Sequence, residues 1–320
     1  MRMDHGARLL PRADSGRTLR LKNRLSSAAW AVFRGAFLIG VSFIILYPLI
    51  YMLSISFRTA ADMADPSVVW IPKHLSLEAM KDSFLAMDYP RALWNTVRLG
   101  LFSSLLQVMS CAVVGYGFAR FRFPLKRLWF AIVVFTMLVP AALLMPSLYM
   151  RFRFFDIAGL FALIGGGPLN LIDTPWPLLL LSLLGLGTRN GLYIYLLRNF
   201  FSTMPRELEE SGRIDGAGSL RIFLQIMLPN AVTIMVTVFL FAFCWQWTDV
   251  YQTDLFLPSF AGIAGGLASL ETYGVSTVAP VLRTAVMQTG VMLTVFPILL
   301  LFLLLQRAFV QGVERSGIVG

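Results

Sequence analysis

Hydrophobic residues fall into long runs along the chain, and clusters of charged residues separate these runs. Five runs of 21 residues or more contain no Asp, Glu, Lys or Arg, and a sixth, over 176–197, contains Arg189 as its one charge. A helix needs about 20 apolar residues to cross a bilayer. The pattern therefore predicts an all-α polytopic membrane protein with six transmembrane helices, at about 35–57, 95–119, 128–150, 176–199, 230–248 and 284–306.

The composition supports this class. The 320 residues are 57% hydrophobic and 14% charged, whereas an ordinary soluble domain is about 25% charged. A soluble enzyme is therefore excluded. The net charge of +10 fits either a nucleic-acid-binding protein or a membrane protein with basic cytoplasmic loops, and the position of the charges decides between them.

Positive charge collects in alternate loops. With the N-terminus inside the cell, the inner segments carry 18 Lys and Arg and the outer segments carry 7. By the positive-inside rule, both termini are cytoplasmic, and no nucleic-acid partner is expected. We predict a basic, disordered tail near anionic membrane lipid over 1–34, a transmembrane domain over 35–310 and a C-terminal tail over 311–320. The outer segment near 58–90 is expected to form short surface helices.

Residue types that support catalysis or metal binding are scarce. Cys111 and Cys244 both lie in apolar runs, and His5 and His74 are the two histidines. We predict no catalytic residue, no metal site and no bound cofactor. The phosphate-binding pattern G-x-x-x-x-G-K-[ST] does not occur, so the sequence offers no site of that kind for ATP.

The loop over 202–229, between the fourth and fifth runs, is the segment most informative about function. It predicts two short helices that meet at a glycine-rich corner, Asp215-Gly216-Ala217-Gly218. Three glutamates begin the first helix, where the helix dipole favours anions, and apolar residues recur at helical spacing in the second. An ordered loop with an acidic edge and an apolar stripe indicates a docking surface. The alternative is an amphipathic helix that rests on lipid, although anionic lipid would repel its acidic face.

This loop resembles the cytoplasmic signature of ABC importer permeases, which is Glu-Ala-Ala, x3, Gly, x9, Ile-x-Leu-Pro. The matching positions are Glu210, Gly216, Ile226, Leu228 and Pro229, with the small residues Ser211 and Gly212 in place of the two alanines. The stretches 115–124, 306–312 and 317–320 resemble carbohydrate permeases, in particular the second permease of maltose-type systems. The sequence departs from that family in an insertion at 165–168 and in Trp247-Thr248-Asp249, where many relatives have Trp-Asn-Asp or Trp-Asn-Glu.

The resemblance implies the ABC type I importer permease fold, in a bacterial or archaeal inner membrane. The expected partners are a second permease, an ABC ATPase dimer that uses the ATP, an extracellular or periplasmic solute-binding protein and a sugar substrate. The residues expected to dock the ATPase are Glu210, Ser211, Gly212, Asp215, Gly216, Ala217, Ile226, Leu228 and Pro229. Glu210 is the first candidate for an ion pair with the ATPase, whereas Glu207 and Glu209 are interpreted as a solvated acidic face.

The substrate pathway is less evident in the sequence. Its candidate residues are Arg189, Asn190, Trp245, Gln246 and Trp247. An intramembrane charge usually faces a cavity or a partner, but the fourth span could also bend near Gly185 and leave Arg189 to snorkel. The tryptophans could stack on sugar rings or lie at the bilayer interface.

Three other functions fit the sequence less well than a sugar permease. An ABC permease for a polyamine, a peptide or phosphate is disfavoured by the sugar-like loop and tail. A secondary transporter would show inverted repeats and ionisable residues near the bilayer midplane, and a membrane scaffold would not require the loop at this spacing.

Overall fold

The regular structure is helical. The computed structural model describes residues 15–157, 159 and 166–315, and over those residues the β pairings are two isolated bridges, Arg58–Leu75 and Phe155–Leu169. The helices are α1 (Ser15–Ser56), α2 (Ala60–Ala64), α3 (Glu78–Ala86), α4 (Tyr89–Arg120), α5 (Lys126–Phe135), α6 (Met145–Arg153), α7 (Trp176–Leu183), α8 (Asn190–Thr203), α9 (Glu207–Ile214), α10 (Ser219–Ile222), α11 (Val232–Thr248), α12 (Tyr251–Phe256), α13 (Ile263–Thr277) and α14 (Arg283–Arg315). The predicted all-α class is confirmed.

Three described segments are long and apolar enough to cross a membrane as single helices: Ser26–Ser56, Tyr89–Arg120 and Pro280–Arg307. A fourth candidate is the pair Ser219–Asn230 and Val232–Thr248, whose axes bend by 77° at their junction. These segments cover the first, second, fifth and sixth predicted spans.

The third and fourth predicted spans are not continuous helices. Residues 128–150 are divided among α5, a 3₁₀ turn at Ala141–Leu143 and α6, because Pro140 cannot donate a backbone hydrogen bond and disfavours helix in the residue before it. Residues 176–199 are divided between α7 and α8. The backbone between them turns through positive φ angles at Gly185 (71°) and Arg189 (64°), which corresponds to the bend considered near Gly185.

The helix at the N-terminus is longer than the predicted first span. The part of the predicted tail from Ser15 to Arg34 is helical and continues into the membrane-length segment. The prediction of a disordered tail is wrong for these residues, because 18–34 contain no Gly or Pro and extend an already nucleated helix. Residues 1–14 lie outside the described residues. At the other end, α14 takes in 311–315 of the predicted tail.

Helix α4 is central to the packing. It lies against α8 and α11, and glycines on its buried face let the neighbouring helices approach closely. A Cβ at Gly115 would lie 3.0 Å from the Leu197 Cβ, and one at Gly100 would lie 3.1 Å from the Phe243 ring. Helix α1 differs from α4, because its apolar side chains, such as Phe37 and Ile44, are exposed. Within this chain, α1 packs mainly against α14.

Candidate functional site

The two helices of the 202–229 loop are joined by a compact, hydrogen-bonded corner. The N–H of Gly216 donates to the Arg213 carbonyl at 3.0 Å, and the N–H of Ala217 donates to the Gly212 carbonyl at 2.9 Å. Gly216 has a φ of 78°, so the corner has the hydrogen bonds and the left-handed glycine of a Schellman motif. The geometry fixes how α9 and the following helix are oriented relative to each other.

The second half of the loop is a helix with one widened turn. After α10 come a π-helical turn at Phe223–Met227 and a last turn at Leu228–Asn230. A Cβ at Gly212 would lie 2.8 Å from the Ile226 Cδ1, so a small residue at this position lets α9 rest against the second helix. Ile222 and Met227 are buried in the core shared with α4 and α8.

The docking residues predicted from the sequence fall into three groups by burial. Gly212 is buried. Ala217, Ile226 and Leu228 are half-buried. The exposed residues are Glu210, Ser211, Asp215, Gly216 and Pro229. Ile214, at the end of α9, is 86% exposed and was not predicted as a docking residue. The exposed side of the corner therefore combines acidic groups with a large apolar side chain.

The glutamates of α9 differ sharply in environment. Glu210 is exposed, and its carboxylate forms no salt bridge with any residue that the structure describes. Glu209 is buried, with an Oε1 3.0 Å from Nε of Arg120 at the end of α4. The prediction of a solvated face is therefore wrong for Glu209, although Glu207 is exposed. The sequence does contain a sign that Glu209 is buried: it lies three residues before the small Gly212, on the same side of the helix.

The five predicted pathway residues do not form one surface. The Arg189 guanidinium lies over the Trp245 ring, 3.5 Å from its centroid. Asn190 and Trp247 are buried, and the Trp247 Nε1 donates to the Thr294 carbonyl at 3.1 Å. Trp247 thus belongs to the helix packing, while Arg189 and Trp245 are accessible.

Gln246 lines two adjoining clefts beside α11. One cleft has a volume of about 480 Å³ and the other about 350 Å³. Their polar lining consists of Thr96, Gln107, Ser182, Thr188, Gln246, Asp249, Gln252, Thr253 and Asp254. Gln107 bonds to the Thr188 carbonyl at 2.9 Å and to the Asn190 side chain, and Gln252 bonds to the Thr188 hydroxyl. The sequence did not identify Gln107 or Gln252, because neither belongs to a short motif.

Comparison with known proteins identifies the family of this chain. The family model described as "Binding-protein-dependent transport system inner membrane component" matches residues 112–315. The chain belongs to this family. The protein is therefore an ABC transport permease and a multi-pass protein of a bacterial or archaeal membrane.

Individual relatives cover most of the permease. The maltodextrin transport system permease protein MdxG of Bacillus subtilis is 30% identical over 289 residues, which is 89% of this chain and 94% of MdxG. The galactooligosaccharides transport system permease protein GanQ of the same species is 28% identical over 87% of this chain and 91% of its own. The sn-glycerol-3-phosphate transport system permease protein UgpE of Yersinia enterocolitica is 30% identical over 70% of this chain and 72% of its own.

A solved structure supports the fold. The permease is similar, with a TM-score of 0.68 and 20% sequence identity, to a chain of a bacterial ABC transporter involved in the import of the acidic polysaccharide alginate. The similarity covers 95% of this chain and all of that chain. The predicted ABC importer permease fold is confirmed.

Proposed function

We propose that this permease forms half of the translocation pathway of an importer for a sugar or oligosaccharide. A second permease forms the other half, a solute-binding protein delivers the substrate, and a separate ATPase dimer uses the ATP. This chain binds no nucleotide or cofactor of its own. Both termini and the 202–229 loop lie in the cytoplasm, as the distribution of Lys and Arg favours.

The observation that carries the proposal is the geometry of the loop. The corner at Gly216 orients two helices rigidly and presents Glu210 and Ile214 to a partner. An acidic residue next to an exposed apolar side chain suits a protein interface that pairs charge around an apolar contact. When the ATPase dimer closes on ATP, the loop would move as one body and bias the helices between two states.

The sugar substrate is supported by the relatives and by the clefts. MdxG and GanQ are named for the transport of maltodextrin and galactooligosaccharides. The cleft lining offers amides, hydroxyls and carboxylates, and the Trp245 ring lies at its edge. These groups match the hydroxyls and apolar faces of a sugar ring.

A phosphorylated polyol is the second candidate substrate. UgpE is named for transport of sn-glycerol 3-phosphate, and the exposed Arg189 guanidinium beside Trp245 could bind a phosphate group. The two substrates differ in charge, so uptake assays with a neutral maltodextrin and with sn-glycerol 3-phosphate distinguish them.

The test of the coupling proposal is the charge reversal Glu210→Lys. We expect at least about a tenfold loss of ATPase co-purification and of uptake, because the reversal places like charges together at the interface. The matched control is Glu207→Lys, which makes the same change at another exposed position of α9 and is expected to keep most activity. Normal ATPase binding and uptake in the Glu210→Lys permease would contradict the proposal.

A further inference from the structure

The permease contains a buried ion pair between the docking loop (202–229) and helix α4. Nε of Arg120 lies 3.0 Å from Oε1 of Glu209, and both side chains are only 6% exposed. A second guanidinium nitrogen of Arg120 donates to the Met204 carbonyl at 2.6 Å. Arg120 thereby holds both the start of α9 and the segment that leads into it.

The second cation that pairs with Glu209 is on its own helix, and the Tyr116 hydroxyl of α4 also lies near the Glu209 carboxylate. Arg213 donates to Oε2 of Glu209 at 3.3 Å, and the Arg213 side chain is 59% exposed. The contact to Arg213 lies within α9 and cannot connect it to the rest of the molecule. The contact to Arg120 does connect it, since these residues lie on different helices.

Stability alone is a poor explanation for this pair. Removing two charges from water is costly, and well-packed apolar residues often serve as well or better for stability. The surroundings already supply such packing, because the Tyr116 ring of α4 lies 4.9 Å from Phe223 and 5.6 Å from Phe201. What the ion pair adds to this apolar junction is an attraction between opposite charges on α4 and α9, although the Arg120 Nε and the Glu209 Oε1 are not aligned for a hydrogen bond.

The pair also lies beside the surface that faces the ATPase. Glu209 and Glu210 are consecutive, but the first is buried against α4 and the second is exposed. A displacement of Glu210 therefore moves the adjacent residue Glu209, and the ion pair links Glu209 to Arg120 of α4.

Helix α4 leads from this junction to the clefts. Its 32 residues form one unbroken helix, about 48 Å long at 1.5 Å per residue. The same helix places Gln107 in the larger cleft and Thr96 in the smaller one. A displacement of Arg120 therefore moves both clefts when the helix shifts as a rigid body.

We propose that the Arg120–Glu209 ion pair transmits the movement of the docking loop to α4 and so couples ATP hydrolysis to the opening of the pathway. Glu209 and Arg120 are positioning residues, and neither lines a cleft. The inference rests on the proposed docking of the ATPase at this loop.

The test uses the complete importer, purified with its ATPase and binding protein and reconstituted in vesicles. In Glu209→Gln we expect the ATPase to co-purify normally, while the number of ATP molecules hydrolysed per substrate imported rises about tenfold or more. A purely structural defect would lower hydrolysis and transport together and leave that ratio unchanged. The matched control, Glu207→Gln, removes an exposed charge from the same helix and is expected to keep the wild-type ratio.

The outcome separates this inference from the docking proposal. Loss of docking, as expected for Glu210→Lys, removes the ATPase itself, whereas loss of the ion pair leaves it bound but uncoupled. A wild-type ratio in both Glu209→Gln and Arg120→Gln would overturn the inference and leave the docking proposal intact.

An exchange of the two charges covers the case in which the single variants do not assemble. We expect Arg120→Glu combined with Glu209→Arg to recover assembly and at least part of the coupling that the single changes lose. Assembly without recovered coupling would overturn the inference. Failure of the exchanged pair to assemble would also overturn it, because the pair would then be required for folding only.

Discussion

The docking loop and the clefts are built in different ways. The loop comes from one continuous stretch, and its corner is held by bonds between near neighbours, from Gly216 to Arg213 and from Ala217 to Gly212. The clefts combine residues from α4, α7, the α7–α8 connection, α11, α12 and α13, and are held by long-range bonds such as that from Gln107 to Thr188. A short motif can therefore specify the docking surface, whereas the substrate-facing surface depends on how several helices assemble.

The largest effect is expected from a break in the local geometry of the loop. Gly216→Pro forces φ near −65° at a position that has 78° and removes the N–H that bonds to Arg213. The strain and the lost bond together cost about 2–4 kcal/mol. We expect uptake and ATPase co-purification to fall at least about tenfold, measured on membranes with equal amounts of the permease.

Gly218→Ala is the matched control for that change. Gly218 has a φ of −69°, and a Cβ there would meet nothing within 4 Å. We expect near wild-type uptake. Equal losses in the Gly216 and Gly218 variants would mean that the corner geometry does not matter.

A smaller effect is expected at the clefts. Arg189→Gln removes the cation over the Trp245 ring, a contact worth about 1 kcal/mol that holds the ring at the edge of the larger cleft. A substrate that stacks on this ring would then bind up to roughly fivefold more weakly. We expect the half-saturation concentration for uptake to change by about that factor with ATPase co-purification unchanged. The control Arg91→Gln removes a charge whose side chain is 70% exposed and lines neither cleft. A loss of ATPase binding in the Arg189 variant would show that the two regions are not separate.

The same contrast explains what the sequence could predict within the loop. The spacing from Glu210 to Pro229 predicted the two helices and their corner, because caps, glycine and helical periodicity are local properties. It did not predict that Glu209 is buried while Glu210 is exposed; the one local sign was the position of Glu209 three residues before the small Gly212. The difference depends on Arg120, which is 89 positions earlier in the chain.

The predicted spans show the same limit. Hydropathy identified the apolar segments, and α4 is a single helix as expected. It did not show that 128–150 and 176–199 are interrupted, because a run of apolar residues indicates burial in lipid or protein and not helix continuity. Pro140 and Gly185 were the local signs of the two breaks.

The most direct test of the central claim, that the 202–229 loop contacts the ATPase, is site-specific photo-cross-linking in membranes of cells that express the whole importer. A photoreactive residue placed at Ile214, which is 86% exposed, should capture the ATPase. The same residue at Ile71, which is 81% exposed in the segment before α3, should capture no ATPase. Capture of the ATPase at Ile71 but not at Ile214, or at neither position, would contradict the claim.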